Sequence, residues 1–171
     1  MFAIIQNGII QLLIPAGSQF SWNGIDYPPN WVNLSSPEEK AAIGMVDVVY
    51  GTRPNDQYYW VTEEAPVYNS QTNQVDINFT STPKDLVTLK SNMVNTVNQT
   101  AWTLLTPSDW RVVMATETNT AVDPAWNTWR ATIRSEAANT ANVIMACTDV
   151  PSLANVTITW TPDPDQPTQG A

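Results

Sequence analysis

The sequence predicts an α+β chain. A β-sandwich-like domain is expected over residues 1-80, an α-helical domain over 81-150, and a short strand with a flexible tail over 151-171. Three observations predict this. Apolar residues alternate in short runs before Thr80 and recur at three- and four-residue spacings after Pro83. Two Asn-Gly dipeptides, Asn7-Gly8 and Asn23-Gly24, each join two apolar runs, the strongest short signal for a hairpin. Asp123-Pro124 is a helix start, because Asp accepts backbone N–H bonds as N-cap and Pro at N1 loses none.

The elements follow in order. Phe2 to Ile5 and Ile9 to Ile14 form the first expected hairpin. Phe20 to Trp22 and Ile25 to Tyr27 form the second. Pro28-Pro29 stops regular pairing. Ser36-Pro37-Glu38-Glu39 supplies an N-cap, a Pro at N1 and an acidic first turn, opening a short helix that Gly44 ends. Val46 to Tyr50, Gln57 to Thr62, Val67-Tyr68 and Val75 to Thr80 read as strands, with turns at Arg53 to Asp56 and Asn69 to Asn73. Short strands at close spacing point to a sandwich or open barrel.

After Pro83, the residues Leu86, Leu89, Met93, Val97 and Leu104 mark one face of an amphipathic helix. Trp110 to Met114 is apolar and reads as a short strand or extended crossing. A second helix runs from Pro124, with Trp126, Trp129, Ile133, Ala137 and Ile144 on one side, and Pro151 ends it. Ala131, Ala138, Ala141 and Ala146 keep its other sides small, which permits close helix approach. Val156 to Trp160 alternates like a strand, and Pro162 to Ala171 reads as a disordered tail.

Composition narrows function. The 171 residues suffice for one domain or two small ones, and 43% are hydrophobic, enough for a core. Only 13% are charged, roughly half the usual share of soluble domains. The surface therefore rests on Asn, Thr, Ser and Gln, which cost less to desolvate than charges and suit protein contact. A net charge of −9 without a basic cluster argues against nucleic-acid binding. Met1 to Ile14 is apolar but lacks a positive start, so it reads neither as a signal peptide nor as a membrane span. The N-x-S/T triplets at Asn33, Asn78, Asn98 and Asn155 read as products of an Asn- and Thr-rich composition.

Catalytic chemistry finds little support. The chain has no His, hence no usual general base, and no metal-spaced Cys pair. The single Cys147 has no base to activate it and is expected in a buried helical position. Glu38-Glu39 and Glu63-Glu64 read as a helix-dipole complement and a solvated loop rather than an acid/base pair. The expectation is a non-enzyme without cofactor or metal.

Leu104 to Arg134 carries a family resemblance. LLTPSDW, an intervening segment, and then W-x-x-W-R-x-x-I-R resemble the C-terminal region of bacteriophage tail-fibre assembly proteins. Asp109-Trp110, Trp129-Arg130 and Ile133-Arg134 carry the match, within a resemblance covering roughly Pro83 to Asp149. Here the motif is followed by Val156 to Trp160 and a polar tail, a departure from that family. Tyr27 to Glu39 also resembles Tyr-Pro-x-x-Trp segments that precede a Glu-rich helix in other phage proteins. The resemblance implies a chaperone that binds the distal part of a tail fibre and assists its folding and trimerisation, in the cytoplasm of an infected bacterium. The alternative is a permanent virion component, such as a fibre adaptor or baseplate-associated protein. A carbohydrate-binding module is a third reading, resting on aromatics near Asn, Asp and Gln.

The division of labour expected from this places fibre contact on Trp22, Tyr27, Trp31, Tyr58, Tyr59 and Trp60. Self-association, as a homotrimer matching a trimeric fibre, falls to the helical part. Its motif residues are Asp109, Trp110, Trp126, Trp129, Arg130, Ile133, Arg134, Ala138 and Ile144. Asp109 either caps a turn or forms a partly buried ion pair with Arg130 or Arg134 that fixes the helix angle; the pair is the favoured reading.

Overall fold

The computed structural model describes residues 1–165 and is mixed α+β. It divides into two compact units, Met1–Thr82 and Pro83–Ala171, and each is taken by itself.

In the first unit, β1 (Phe2–Gln6) and β2 (Ile9–Ile14) form an antiparallel hairpin, and β3 (Phe20–Trp22) and β4 (Ile25–Tyr27) form another. Both turns have positive φ at the two central residues, 54° and 76° at Asn7-Gly8 and 49° and 78° at Asn23-Gly24. That is the left-handed pair a two-residue hairpin turn requires, and Asn-Gly supplies it at least strain. Two short helices follow, α1 (Trp31–Leu34) and α2 (Pro37–Ala42). Ser36 closes a reciprocal cap on α2: its Oγ accepts from Glu39 N, and Glu39 Oε2 accepts from Ser36 N at 2.7 Å.

Strands β5 (Met45–Tyr50), β6 (Tyr59–Glu63), β7 (Val67–Asn69), β8 (Gln74–Ile77) and β9 (Phe79–Pro83) complete the unit. Five strands form one curled sheet in the order β2-β1-β5-β8-β7, in which β5 and β8 run parallel. β3-β4 and β6-β9 are separate two-stranded ribbons. The arrangement thus differs from a sandwich of two facing sheets. The segment between β5 and β8 returns as a crossover, so strands close in sequence do not all pair with one another.

Each face of the sheet has its own core. Ile4, Ile14 and Met45 meet Phe20 and Val32, with Tyr27 and Trp31 packed alongside. Ala3, Val46 and Val75 lie on the other face, joined by Ile5, Ile10, Val48 and Tyr68. A bulge between Ile4 and Ile5 pairs Ile4 with Leu12 but Ile5 with Ile10. The slip of one residue sends Ile10 to the opposite face from Leu12 and Ile14, although all three share one sequence parity.

The second unit is built on α3 (Leu86–Leu105) and α5 (Pro124–Ala146). Asp85 caps α3 through Thr88 N, and Asp123 caps α5 through Ala125 N and Trp126 N. The two helices pack antiparallel: Lys90 donates to Met145 O at 2.9 Å at one end, and Arg130 donates to Leu105 O at 2.9 Å at the other. Val97, Ala101, Ile133, Ala137 and Ile144 are buried between and around them. Thr96, Thr100, Thr103 and Thr106 return their hydroxyls to carbonyls four residues back, which satisfies a helix flank almost devoid of charge.

Four expectations are corrected in this unit. Trp110 to Met114 is helical, inside α4 (Asp109–Glu117), which a 3-10 turn over Thr106–Ser108 joins to α3. Pro151 does not end α5, which stops at Ala146; it occupies the first turn of a further helix, α6 (Val150–Ala154), capped by Asp149. Val156 to Trp160 forms no strand: Val156, Ile158 and Trp160 are half-buried in alternation, but without a ladder. Cys147 is the half-buried C-cap of α5 and not a buried helix residue. Of the expected tail, residues 166–171 lie outside the described residues. Among the described residues no helix is long and apolar enough to cross a membrane.

Candidate functional site

The motif residues converge where α3 passes through the 3-10 turn into α4. Arg130, on the inner side of α5, is 6% exposed. Its Nη1 donates to Leu105 O and to Ser108 Oγ, and its Nη2 donates to Asp109 Oδ1 at 2.6 Å. Ser108, itself buried, donates its hydroxyl to Leu105 O at 2.7 Å. The guanidinium therefore holds a carbonyl, a hydroxyl and a carboxylate at once, a geometry its planar fork suits and a lysine ammonium does not. The ion pair is Asp109 with Arg130. Arg134 is exposed and reaches back to Arg130 O at 3.4 Å.

An aromatic assembly adjoins this knot. Trp126 and Trp129 meet edge to face, with centroids 5.3 Å apart. Arg111 lies between two indoles, its Cζ 4.2 Å from the Trp126 ring centroid and 4.8 Å from that of Trp110. Trp129 is buried and donates Nε1–H to Thr161 O at 2.9 Å. Glu136, seven residues along α5, accepts from Thr161 N at 3.1 Å and from the Thr161 hydroxyl. Arg111 Nη2 meets Asp165 Oδ2 at 3.3 Å. A strap, Trp160 to Asp165, is thereby laid along α5; it ends in a turn at Pro164-Asp165, where Asp163 Oδ1 accepts from Asp165 N at 3.0 Å. A hollow of about 350 Å³ beside it is lined by Leu104, Pro107, Trp126, Trp129, Trp160 and Pro162.

The sequence singled out Trp126, Trp129 and Arg130, but not Arg111, Ser108, Glu136 or Thr161. The spacing from Trp129 to Glu136, two helical turns on one face, was available as a signal; the strap that uses it was not.

The other helical positions separate. Ile133 and Ile144 are wholly buried, so Ile144 is core and cannot face a second copy as its place on the helix led us to expect. Ala138 is exposed. At 3.6 residues per turn, Arg134, Ala138, Ala141 and Met145 share one flank of α5. Val87, Val94 and Trp102 share one flank of α3, and antiparallel packing brings both flanks to the same side of the pair. Val87 is 75%, Trp102 62% and Met145 61% exposed there.

The six aromatics of the β unit also divide. Trp22, Tyr27 and Trp31 are half-buried against the core. Tyr27 stacks on Phe20 at 4.6 Å and meets Trp31 edge-on at 4.7 Å, so these rings serve packing first. Tyr58 and Tyr59 are half-buried, and Trp60 is 67% exposed. No group of His, Cys, Asp and Glu that could hold a metal ion occurs among the described residues. Compared with protein-family models, curated proteins and solved structures, the chain matches none.

Proposed function

We propose that the chain is a phage tail-fibre assembly chaperone, acting in the cytoplasm of the infected bacterium. The observation that carries this reading is the knot of Leu105, Ser108, Asp109 and Arg130. It joins the two halves of the LLTPSDW and WRATIR resemblance into one hydrogen-bonded unit, which supports treating them as a single structural motif. The β unit, with Trp60 outermost among its candidate aromatics, contacts the fibre. The α3/α5 flank bearing Val87, Trp102, Ala138 and Met145 brings copies together as a homotrimer. Such help has a physical basis. Subunits of an intertwined fibre expose strand edges and apolar surface until all partners arrive.

Co-expression with the fibre subunit of the same phage tests the reading. Soluble trimeric fibre should form only when the chain is present, and the chain should co-purify with fibre intermediates. Fibre that trimerises equally well without it overturns the proposal. Stoichiometric chain in purified particles would instead favour a permanent virion component.

A further inference from the structure

We propose that the face of α5 bearing Trp129 and Glu136 is a peptide-docking site for an acidic, proline-containing segment, and that the chain's own strap Trp160 to Asp165 occupies it in the isolated molecule. This stands independently of the chaperone reading.

The contacts are of the kind that recognise a peptide main chain. Trp129 gives its indole N–H to a backbone carbonyl, and Glu136 takes a backbone amide and a hydroxyl from the same residue, Thr161. Carbonyl, amide and side chain of one residue are thus all read by two positions on one helix face. Thr-Pro-Asp-Pro has its backbone restricted by two prolines and closes in a turn held by Asp163 Oδ1, so docking it costs less conformational entropy than docking an unrestricted segment. Arg111, stacked between Trp110 and Trp126, presents a fixed positive charge to Asp165 at the end of the segment. In a chain of net charge −9 this is the feature that selects an acidic ligand over a basic one.

The strap is also held in a way that lets it leave. It takes part in no strand ladder, and Thr161, Pro162, Pro164 and Asp165 are exposed although docked. Its occupancy rests on tethering, which supplies an effective concentration in the millimolar range. A segment of the same chemistry on another chain, held close by a separate contact, competes on equal terms and takes its place.

The test uses the full chain carrying Thr161→Pro and Asp165→Lys. These remove the Thr161 amide and hydroxyl and turn the terminal charge against Arg111. The probe is a blocked synthetic hexapeptide, Trp-Thr-Pro-Asp-Pro-Asp, followed by calorimetry. The released chain should bind it saturably with a dissociation constant below about 0.1 mM. The unaltered chain should bind at least about tenfold more weakly, because its own tail competes. Adding Arg111→Glu to the released chain, or replacing both Asp of the peptide by Lys, should each weaken binding by about tenfold or more. Absence of saturable binding, or binding indifferent to both charge reversals, overturns the proposal. Should the released chain not fold, the isotope-labelled Trp129 indole of the unaltered chain answers the same question. A saturable shift with excess peptide supports displacement, and an unmoved resonance refutes it.

Discussion

Asp109 and Arg130 are joined at 2.6 Å across a boundary in exposure: the arginine side chain is 7% accessible and the carboxylate 56%. The two ends of this pair therefore have unequal energetic weight. Much of the attraction at the Asp109 end is screened by water, whereas Arg130 is a buried charge that also satisfies Leu105 O and Ser108 Oγ.

Asp109→Asn should accordingly lower the stability of the helical unit by only about 1 kcal/mol, since Asn still accepts a hydrogen bond and the site is half in water. Arg130→Met should cost more, about 3 kcal/mol, because it removes all three hydrogen bonds of the buried guanidinium and leaves Leu105 O and Ser108 Oγ with only the bond between them. Denaturant titration of the two variants checks the order. Equal losses would show that the pair, and not the wider knot, carries the effect.

Gly44 follows the C-cap of α2 with φ +71°, and a Cβ built there would stand 2.4 Å from the Ile5 carbonyl oxygen, whose residue donates its N–H to Gly44 O at 2.8 Å. Gly8 has φ +76° and open space around it. Gly8→Ala should cost about 1 kcal/mol from backbone strain alone. Gly44→Ala should cost clearly more, because β1 must also move. A thermal scan of both variants reads the difference, and equal melting points would contradict it.

Hydrogen bonds from Thr88 hold the Asp85 carboxyl below its ordinary value of 3.8, and those from Ser152 do the same for Asp149. A carboxylate lowered on folding contributes stability above the unfolded value and loses it as pH falls through the folded one. The two caps should therefore add to stability at pH 7 and begin to fail below about pH 4. Replacing both by Asn, which caps without titrating, should flatten the acid limb of the stability curve while leaving the helices capped at pH 7. Denaturant midpoints between neutral and strongly acidic pH measure it; an unchanged acid limb would contradict the assignment.

On the exposed α3/α5 flank, Trp102→Glu and Ala138→Glu should leave folding within about 0.5 kcal/mol of the unaltered chain. Sedimentation of the full chain should then show dissociation to monomer. Ile144→Asp, by contrast, places a charge at a position with no exposure and should unfold the helical unit. Self-association unaffected by the two surface variants would remove this flank from the proposed interface.

Local chemistry determined what local bonds can satisfy. The Asn-Gly turns, the Ser36 capping box and the Asp123-Pro124 helix start each form within a few residues, so no distant partner was needed to read them. Tertiary packing decided the rest. Trp110 to Met114 has the apolar, β-branched look of a strand, yet it is helical in α4, where Asp109 meets Arg130 and Arg111 lies between Trp110 and Trp126. One bulge sent Ile10 to the opposite face from Leu12. Val156, Ile158 and Trp160 kept the alternating burial of a strand but joined no ladder. Ile144 and Ala138 lie on the same helix, and only the position of α3 made one of them core and the other surface. The knot on Arg130 and the strap on Trp129 join residues 20 to 30 positions apart or more, and a periodicity measured along one element carries no information about its neighbour in space.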